Sequence, residues 1–120
     1  MIELKYNSLL YQCILYSIDS RIKEIDIEIV NANEKYSNEL LKDTLELLDS
    51  KKFALQKVVQ GFSFSYINML SYQKIRINYQ ELELLVETLP YSDKMIETES
   101  STYNLFKSFQ KLLSKTIKEY

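Results

Sequence analysis

The chain has 120 residues, of which 46% are hydrophobic and 27% charged, and its formal net charge is −2. This balance predicts one folded domain over residues 1–120, excludes a disordered chain, and gives no electrostatic reason to expect nucleic-acid binding. A single glycine and a single proline favour helices, because all-β domains use both residues heavily in turns.

The first predicted element is a helix over residues 4–30. The end of this segment, EIDIEIV, also alternates apolar and charged residues with the period of a strand, so a strand stays open there. Cys13 lies on the apolar face of the helix, and we expect a buried, unreactive thiol. Glu3 and Lys5 precede the first apolar run, which is not typical of a secretory signal. The apolar residues that recur every three or four positions are Leu10, Ile14, Ile18, Ile22, Ile25 and Ile29.

Two further helices are predicted between residues 32 and 73. Asn31 and Glu34 have the spacing of a capping box, which predicts a helix start at about Ala32. Two lysines interrupt the apolar pattern, so we predict a turn at residues 49–50, while continuation to Gly61 stays open. Apolar residues expected in the second helix are Leu40, Leu41, Leu45, Leu47 and Leu48. The third helix is expected to bury Phe53, Leu55, Val58, Val59, Phe62, Ile67 and Leu70.

Residues 74–77 again alternate charged and apolar side chains, which predicts a short extended link. Pairing of KIRINY as a strand stays open. Asn78 and Glu81 repeat the capping-box spacing and predict another helix, which Pro90 ends. Residues 91–100 read as a connecting loop. A last amphipathic helix is predicted from Ser101 to Lys118, with Phe106, Phe109 and Leu113 opposite Lys107, Lys111 and Lys115.

Together these elements predict an all-α fold, which is an antiparallel four-helix bundle. An added C-terminal fifth helix stays open. Charge is uneven at the C-terminal end, since residues 80–100 are rich in acid whereas residues 105–118 carry four lysines and no acid. Two solvated helix faces that attract each other explain this pattern, and a basic stripe that faces a partner is the sharper alternative.

Missing residue types restrict the chemistry. The chain has no histidine, one cysteine and one glycine, so it lacks imidazole bases and ligands, a disulfide and a glycine-rich phosphate loop. Glu83 and Glu87 lie one helical turn apart, as on an ordinary solvated face. We therefore expect no enzyme activity, no catalytic residue, no metal, no cofactor and no small-molecule substrate.

The ten tyrosines are explained first by core and rim packing, and second by a protein-binding face, where tyrosine is enriched. We expect a protein partner rather than nucleic acid, no membrane-spanning segment, and a cytoplasmic location. Peripheral membrane contact stays open, and so does the choice between monomer and homodimer. The candidate partner-binding residues are Tyr79, Tyr91, Lys94, Tyr103, Lys107, Lys111 and Lys115.

Residues 60–89 resemble the second half of the small immunity proteins that protect producers of pediocin-like (class IIa) bacteriocins. There, an apolar helix bearing tyrosines ends in a Lys-Ile link and precedes a shorter capped helix. The resemblance implies a cytoplasmic antiparallel four-helix bundle that recognises the toxin-bound receptor, a mannose phosphotransferase permease, and blocks its pore without catalysis. It also implies that the region after Asn78 sets which toxin is neutralised. The matching positions are Tyr66, Tyr72, Lys74, Ile75, Asn78, Glu81, Leu82 and Leu85.

Two other classes of protein stay open. One is a phage- or plasmid-encoded inhibitor of a host protein, such as an anti-CRISPR or another anti-defence factor. The other is a helical assembly protein or chaperone that dimerises through its last helix.

Overall fold

Four α-helices and a two-stranded sheet make up the part of the chain that the computed structural model describes, residues 1–62, 72–92 and 101–119. The predominance of helix agrees with the predicted helical architecture, and the sheet is an addition to it. The elements are β1 (Ile2–Tyr6), α1 (Ser8–Lys35), α2 (Asn38–Gly61), β2 (Gln73–Ile77), α3 (Tyr79–Thr88), a 3₁₀ turn (Leu89–Ser92) and α4 (Ser101–Glu119).

Strands β1 and β2 pair in antiparallel register, with Leu4 opposite Ile75. The predicted helix start at residue 4 is therefore wrong. The N-terminal residues alternate buried and exposed positions, which is the period of a strand whose one face packs on a core. Helix α1 begins only at Ser8, where the Asn7 side chain caps it by accepting the Leu10 N–H at 3.0 Å.

The open alternatives for the two alternating segments have opposite outcomes. KIRINY contributes to strand β2, which extends through Ile77. EIDIEIV lies inside α1, where Ile25 is fully buried, so the strand interpretation of that segment is wrong. The buried face of the sheet carries Tyr6, whose ring meets Phe62 edge-on with centroids 4.9 Å apart. This contact joins the sheet to the end of α2.

Helices α1 and α2 form an antiparallel hairpin. The predicted capping box at Asn31 and Glu34 is wrong, because α1 continues to Lys35 and both side chains are exposed on it. Buried Ile25 and Ala32 are seven residues apart and extend the apolar stripe through this point. The actual connection is a two-residue link before Asn38, which has a φ of 60°, a left-handed conformation that asparagine tolerates better than most residues.

Helix α2 runs without interruption to Gly61, so the predicted turn at residues 49–50 is wrong. Lys52, which interrupts the apolar pattern, lies beside α1 and its Nζ is 2.7 Å from an Asp26 carboxylate oxygen. Residues 63–71 of the predicted third helix lie outside the described residues, and so do residues 93–100 of the predicted loop at 91–100.

Helix α3 confirms the second predicted capping box. Asn78 Oδ1 accepts the Glu81 N–H at 2.8 Å, and Glu81 Oε1 accepts the Asn78 N–H at 3.1 Å. Leu82 and Leu85 are fully buried. The helix ends at Thr88, and Pro90 lies in the 3₁₀ turn that follows.

The 3₁₀ turn is fastened to α1. The buried Ser17 hydroxyl lies 3.1 Å from the Leu89 carbonyl oxygen and 2.8 Å from the Cys13 carbonyl oxygen. Cys13 itself is buried, as predicted. Helix α4 ends at Glu119, one residue beyond its predicted bound, and buries one face against the rest of the core.

The molecule measures 51 × 32 × 28 Å. A 28-residue helix is about 42 Å long, so only the longest dimension accommodates α1. The radius of gyration of 16.0 Å exceeds the roughly 13.6 Å expected for a compact domain of this length. The α1–α2 hairpin is therefore the long axis of the molecule.

Candidate functional site

Helix α4 separates its apolar and basic residues onto different faces. Phe106, Phe109 and Leu113 are buried in the core, and the i, i+3, i+4 spacing of such residues gives a helix one apolar side. The opposite side carries what we call the lysine row. Its members are Lys107, Lys111, Lys115 and Lys118.

Two members of the lysine row, Lys111 and Lys115, have no ion pair among the described residues. Within residues 1–62, 72–92 and 101–119, the ion pairs involve Arg21, Lys52 and Lys74 as the cations. Lys111 and Lys115 are exposed and take part in none of these pairs. The row also borders a shallow depression on the surface of α4, which Gln110 and Ser114 complete.

A second depression, the α3–α4 groove, adjoins the lysine row. It has a volume of about 230 Å³, below the roughly 300–1,000 Å³ of typical small-molecule sites. Its dimensions suit one inserted side chain better than a drug-sized ligand. The lining consists of apolar residues together with three polar residues shared with the first depression: Val86, Leu89, Pro90, Leu113, Lys107, Gln110 and Ser114.

Tyr103 lies on α4 one helical turn before Lys107, the first residue of the lysine row. The Lys107 ammonium lies 5.6 Å from the centre of the Tyr103 ring, within the range of a cation–π interaction. Four of the seven predicted residues, Tyr103, Lys107, Lys111 and Lys115, therefore share one helix, and the first two are in contact.

The structure does not place the other three predicted residues beside these four. Tyr79 is the first residue of α3 and is 41% exposed. Tyr91 faces α1, where its hydroxyl donates to a Glu24 carboxylate oxygen at 2.9 Å. Burial and this hydrogen bond raise the pKa of Tyr91. Lys94 lies outside the described residues.

The contact of Tyr91 with α1 belongs to a charged cluster that the sequence analysis missed. One Arg21 nitrogen lies 2.6 Å from Glu24 and 3.1 Å from Glu28. A depression beside the cluster is also lined by Lys51 and Glu87. The charged and polar groups of this cluster already bind one another: Arg21 pairs with two carboxylates, and the Tyr91 hydroxyl bonds to one of them. The cluster therefore links α1 to the 3₁₀ turn rather than offering a free binding group. No local signal pairs Tyr91 with Glu24, since the two residues are 67 positions apart.

Several apolar side chains on the α1–α2 hairpin face solvent. Phe53 is 69% exposed, so the expectation that it is buried is wrong. Leu40 and Leu47, two of the apolar positions expected in the second helix, are each 58% exposed. On α1, Ile27 and Val30 are also more than half exposed. Helical spacing places Leu40 and Leu47 on one side of α2 and Phe53 on another.

The described residues contain no group of three or more cysteine, aspartate or glutamate side chains placed to hold a metal ion. None of the helices in residues 1–62, 72–92 and 101–119 has both the length and the hydrophobicity needed to cross a bilayer. Comparison of the chain with protein families, with curated proteins and with solved structures found no match. The case for function therefore rests on the residues themselves.

Proposed function

We propose that the protein acts without catalysis, by binding another protein through the lysine row and the α3–α4 groove. The observation that carries this proposal is the position of exposed Lys111 and Lys115, which have no ion pair among residues 1–62, 72–92 and 101–119, next to a small groove. Protein interfaces combine an apolar centre that excludes water with a polar rim. The exposed lysines supply charged groups of the kind found at such a rim.

More specifically, we propose a cytoplasmic immunity protein that binds a bacteriocin–permease complex. The resemblance over residues 60–89 supports this, together with the capping box of Asn78 and Glu81 that begins a short helix directly after the Lys-Ile segment. The lysine row lies after Asn78, in the part of the chain to which the resemblance assigns the choice of toxin.

The direct test is expression of the full chain in a sensitive strain, followed by challenge with a panel of purified pediocin-like bacteriocins. We expect protection against at least one toxin. The double variant Lys111→Glu/Lys115→Glu should lose that protection. The matched control Lys42→Glu/Lys57→Glu, which changes the net charge equally at exposed sites on α2, should keep it. Unchanged sensitivity to the whole panel would refute the immunity proposal.

The second candidate is an inhibitor of a host protein encoded by a phage or plasmid. The β1–β2 sheet favours it, because the resemblance implies an all-helical bundle. The neighbouring genes distinguish the two proposals. A gene for a short peptide with a double-glycine leader supports immunity, whereas phage structural genes support the inhibitor. Light scattering on the purified chain decides between monomer and homodimer, and a strict monomer at high concentration would remove an assembly protein that dimerises through α4.

A further inference from the structure

We infer that the outer edge of strand β1 binds the same edge of a second copy of this chain, which makes a four-stranded antiparallel sheet across the dimer. This contact is independent of the proposed binding function and involves neither α4 nor the lysine row. Three observations support it: the sheet of two strands, the order of charges along β1, and the like charge that faces Lys5 within the chain.

The sheet leaves an outer edge on each of its strands. In the part of the chain that the structure describes, β1 pairs with β2 and no third strand joins them. Alternate residues of a strand direct their backbone N–H and C=O groups to opposite edges, so alternate residues of β1 direct theirs away from β2. Among the described elements, β1 contacts mainly β2 and α1. Such an edge is a template on which a further strand can pair.

The charges along β1 are complementary to the same sequence read in reverse. Glu3 and Lys5 are exposed on the solvent face, on either side of buried Leu4. When two copies of β1 pair antiparallel with Leu4 opposite Leu4, Glu3 of each copy lies directly opposite Lys5 of the other. Opposite charges in directly facing positions of antiparallel strands are favourable. The two-fold axis repeats the pair, so both charges of each strand are matched.

Other registers of the same pairing are unfavourable. A slip of one residue turns the buried face of the second copy toward solvent. A slip of two residues keeps the buried faces together, but it places Glu3 opposite Glu3 or Lys5 opposite Lys5. Like charges in facing positions are destabilising. The register centred on Leu4 is therefore the one that the charges select.

Strand β2 is unsuited to pairing with its own copy. Its exposed charges are Lys74 and Arg76, on either side of Ile75. Antiparallel pairing of two β2 strands about Ile75 places a cation opposite a cation on both sides of the axis. Cations on an edge strand are a common means of preventing edge-to-edge association. The interface therefore belongs to β1.

Lys5 gains most from a second copy. Within the chain it lies directly opposite Lys74, and this like-charge contact is unfavourable. Lys5 is exposed and takes part in none of the ion pairs among residues 1–62, 72–92 and 101–119. In the dimer, Glu3 of the second copy lies on the other side of Lys5 and offsets the charge of Lys74.

Sedimentation velocity of the purified full chain, from micromolar to millimolar concentration, measures the dimer. We expect a reversible monomer–dimer equilibrium, because a five-residue strand buries less area than a stable interface needs. Lys5→Glu places a glutamate opposite Glu3 of the other copy and should weaken the dimer at least about tenfold. The fold should survive this change, because it removes the like-charge contact with Lys74. Glu3→Lys should weaken the dimer by a similar factor.

Mixing these two variants gives the sharpest result. Each variant repels its own copy, but the acidic β1 of Lys5→Glu is complementary to the basic β1 of Glu3→Lys. An equimolar mixture should therefore form a heterodimer within about threefold of the wild-type affinity. The matched control Lys74→Glu changes the net charge as Lys5→Glu does and removes the same like-charge contact from β2, and it should stay within about twofold of wild type. Far-UV circular dichroism must first show that each variant is folded.

Three results would overturn the inference. The wild-type chain could remain monomeric at millimolar concentration, Lys74→Glu could weaken the dimer as much as Lys5→Glu, or the mixture of the two variants could give no heterodimer. A fourth contrary result would be a dimer that Lys111→Glu/Lys115→Glu abolishes and Lys5→Glu leaves intact, which would place the interface on α4.

Discussion

Replacing Asn78 by alanine removes one half of the capping box that begins α3. The side chain of Asn78 accepts the Glu81 N–H at 2.8 Å, and loss of an N-cap acceptor costs about 1 kcal/mol. The reciprocal bond from the Asn78 N–H to the Glu81 carboxylate, 3.1 Å long, involves the backbone of residue 78 and survives the substitution. We therefore expect a loss of about 1 kcal/mol in the free energy of unfolding, or about 4 °C in Tm for a domain of this size.

The matched control is the same substitution at Asn31, which has an identical spacing to a glutamate but lies exposed inside α1. Alanine has the highest intrinsic helix propensity, and replacing an exposed asparagine within a helix stabilises it by up to about 0.5 kcal/mol. The two variants should therefore shift stability in opposite directions. If Asn31 were instead an N-cap, as the sequence pattern predicts, both variants would destabilise the chain.

Urea unfolding followed by far-UV circular dichroism measures both effects, with equal m-values required for the comparison. Asn78→Ser should recover most of the loss, because serine is as good an N-cap as asparagine. An unchanged midpoint for Asn78→Ala, or an equal loss for Asn31→Ala, would refute the assignment of the two sites.

Three other predictions test the packing. Lys5→Glu should stabilise the chain by about 0.5 kcal/mol in urea unfolding, because Lys5 lies directly opposite Lys74 in the sheet and like charges there are unfavourable; a loss would contradict the register. Burial raises the pKa of the Cys13 thiol to about 11 from 9.0. Iodoacetamide at about pH 8 should therefore alkylate Cys13 about a hundredfold more slowly in the folded chain than in the urea-unfolded chain. Equal rates of alkylation would contradict the burial of Cys13. Tyr91→Phe removes the hydrogen bond to Glu24 and should lower the free energy of unfolding by about 1 kcal/mol or less. A much larger decrease in urea unfolding would contradict this estimate of the contribution of the hydrogen bond.

The two capping-box patterns show how far local sequence predicts the fold. Asn31 with Glu34 and Asn78 with Glu81 have the same spacing, but only the second pair forms the cap. The difference lies in the preceding residues. The apolar stripe through Ile25 continues to Ala32 on the same face, so α1 gains more from continuing than from ending. Asn78 instead follows an extended segment and has no helix before it to continue.

Strand β1 shows what the sequence alone could not supply. A five-residue alternating segment is too short to outweigh the long helical pattern that follows it. Its pairing partner is far along the chain, since Tyr6 lies opposite Gln73, and local reading cannot find such a contact. The same reasoning applies to Lys52, whose charge predicts a break in the helix until Asp26 on α1 is placed beside it.

The candidate site divides in the same way. The lysine row follows directly from helical spacing along one segment, and the structure leaves it on one face of α4. The α3–α4 groove depends on how the 3₁₀ turn and α4 pack together, and Val86, Pro90 and Ser114 carry no local signal of it. Residue type alone predicts that Tyr91 belongs to the site, whereas its hydroxyl contacts Glu24 on α1.

The lysines of this chain therefore fall into two kinds with different physical roles. Lys52 and Lys74 lie within ion-pair distance of Asp26 and Glu3, so part of their charge is used to hold elements together. Among residues 1–62, 72–92 and 101–119, Lys111 and Lys115 have no such pair. An exposed lysine free of such contacts usually contributes less than about 0.5 kcal/mol to stability. Stability therefore gives little reason for these two positive charges on α4 in a chain whose net charge is −2. The proposed binding role would account for both charges and for their position beside the groove.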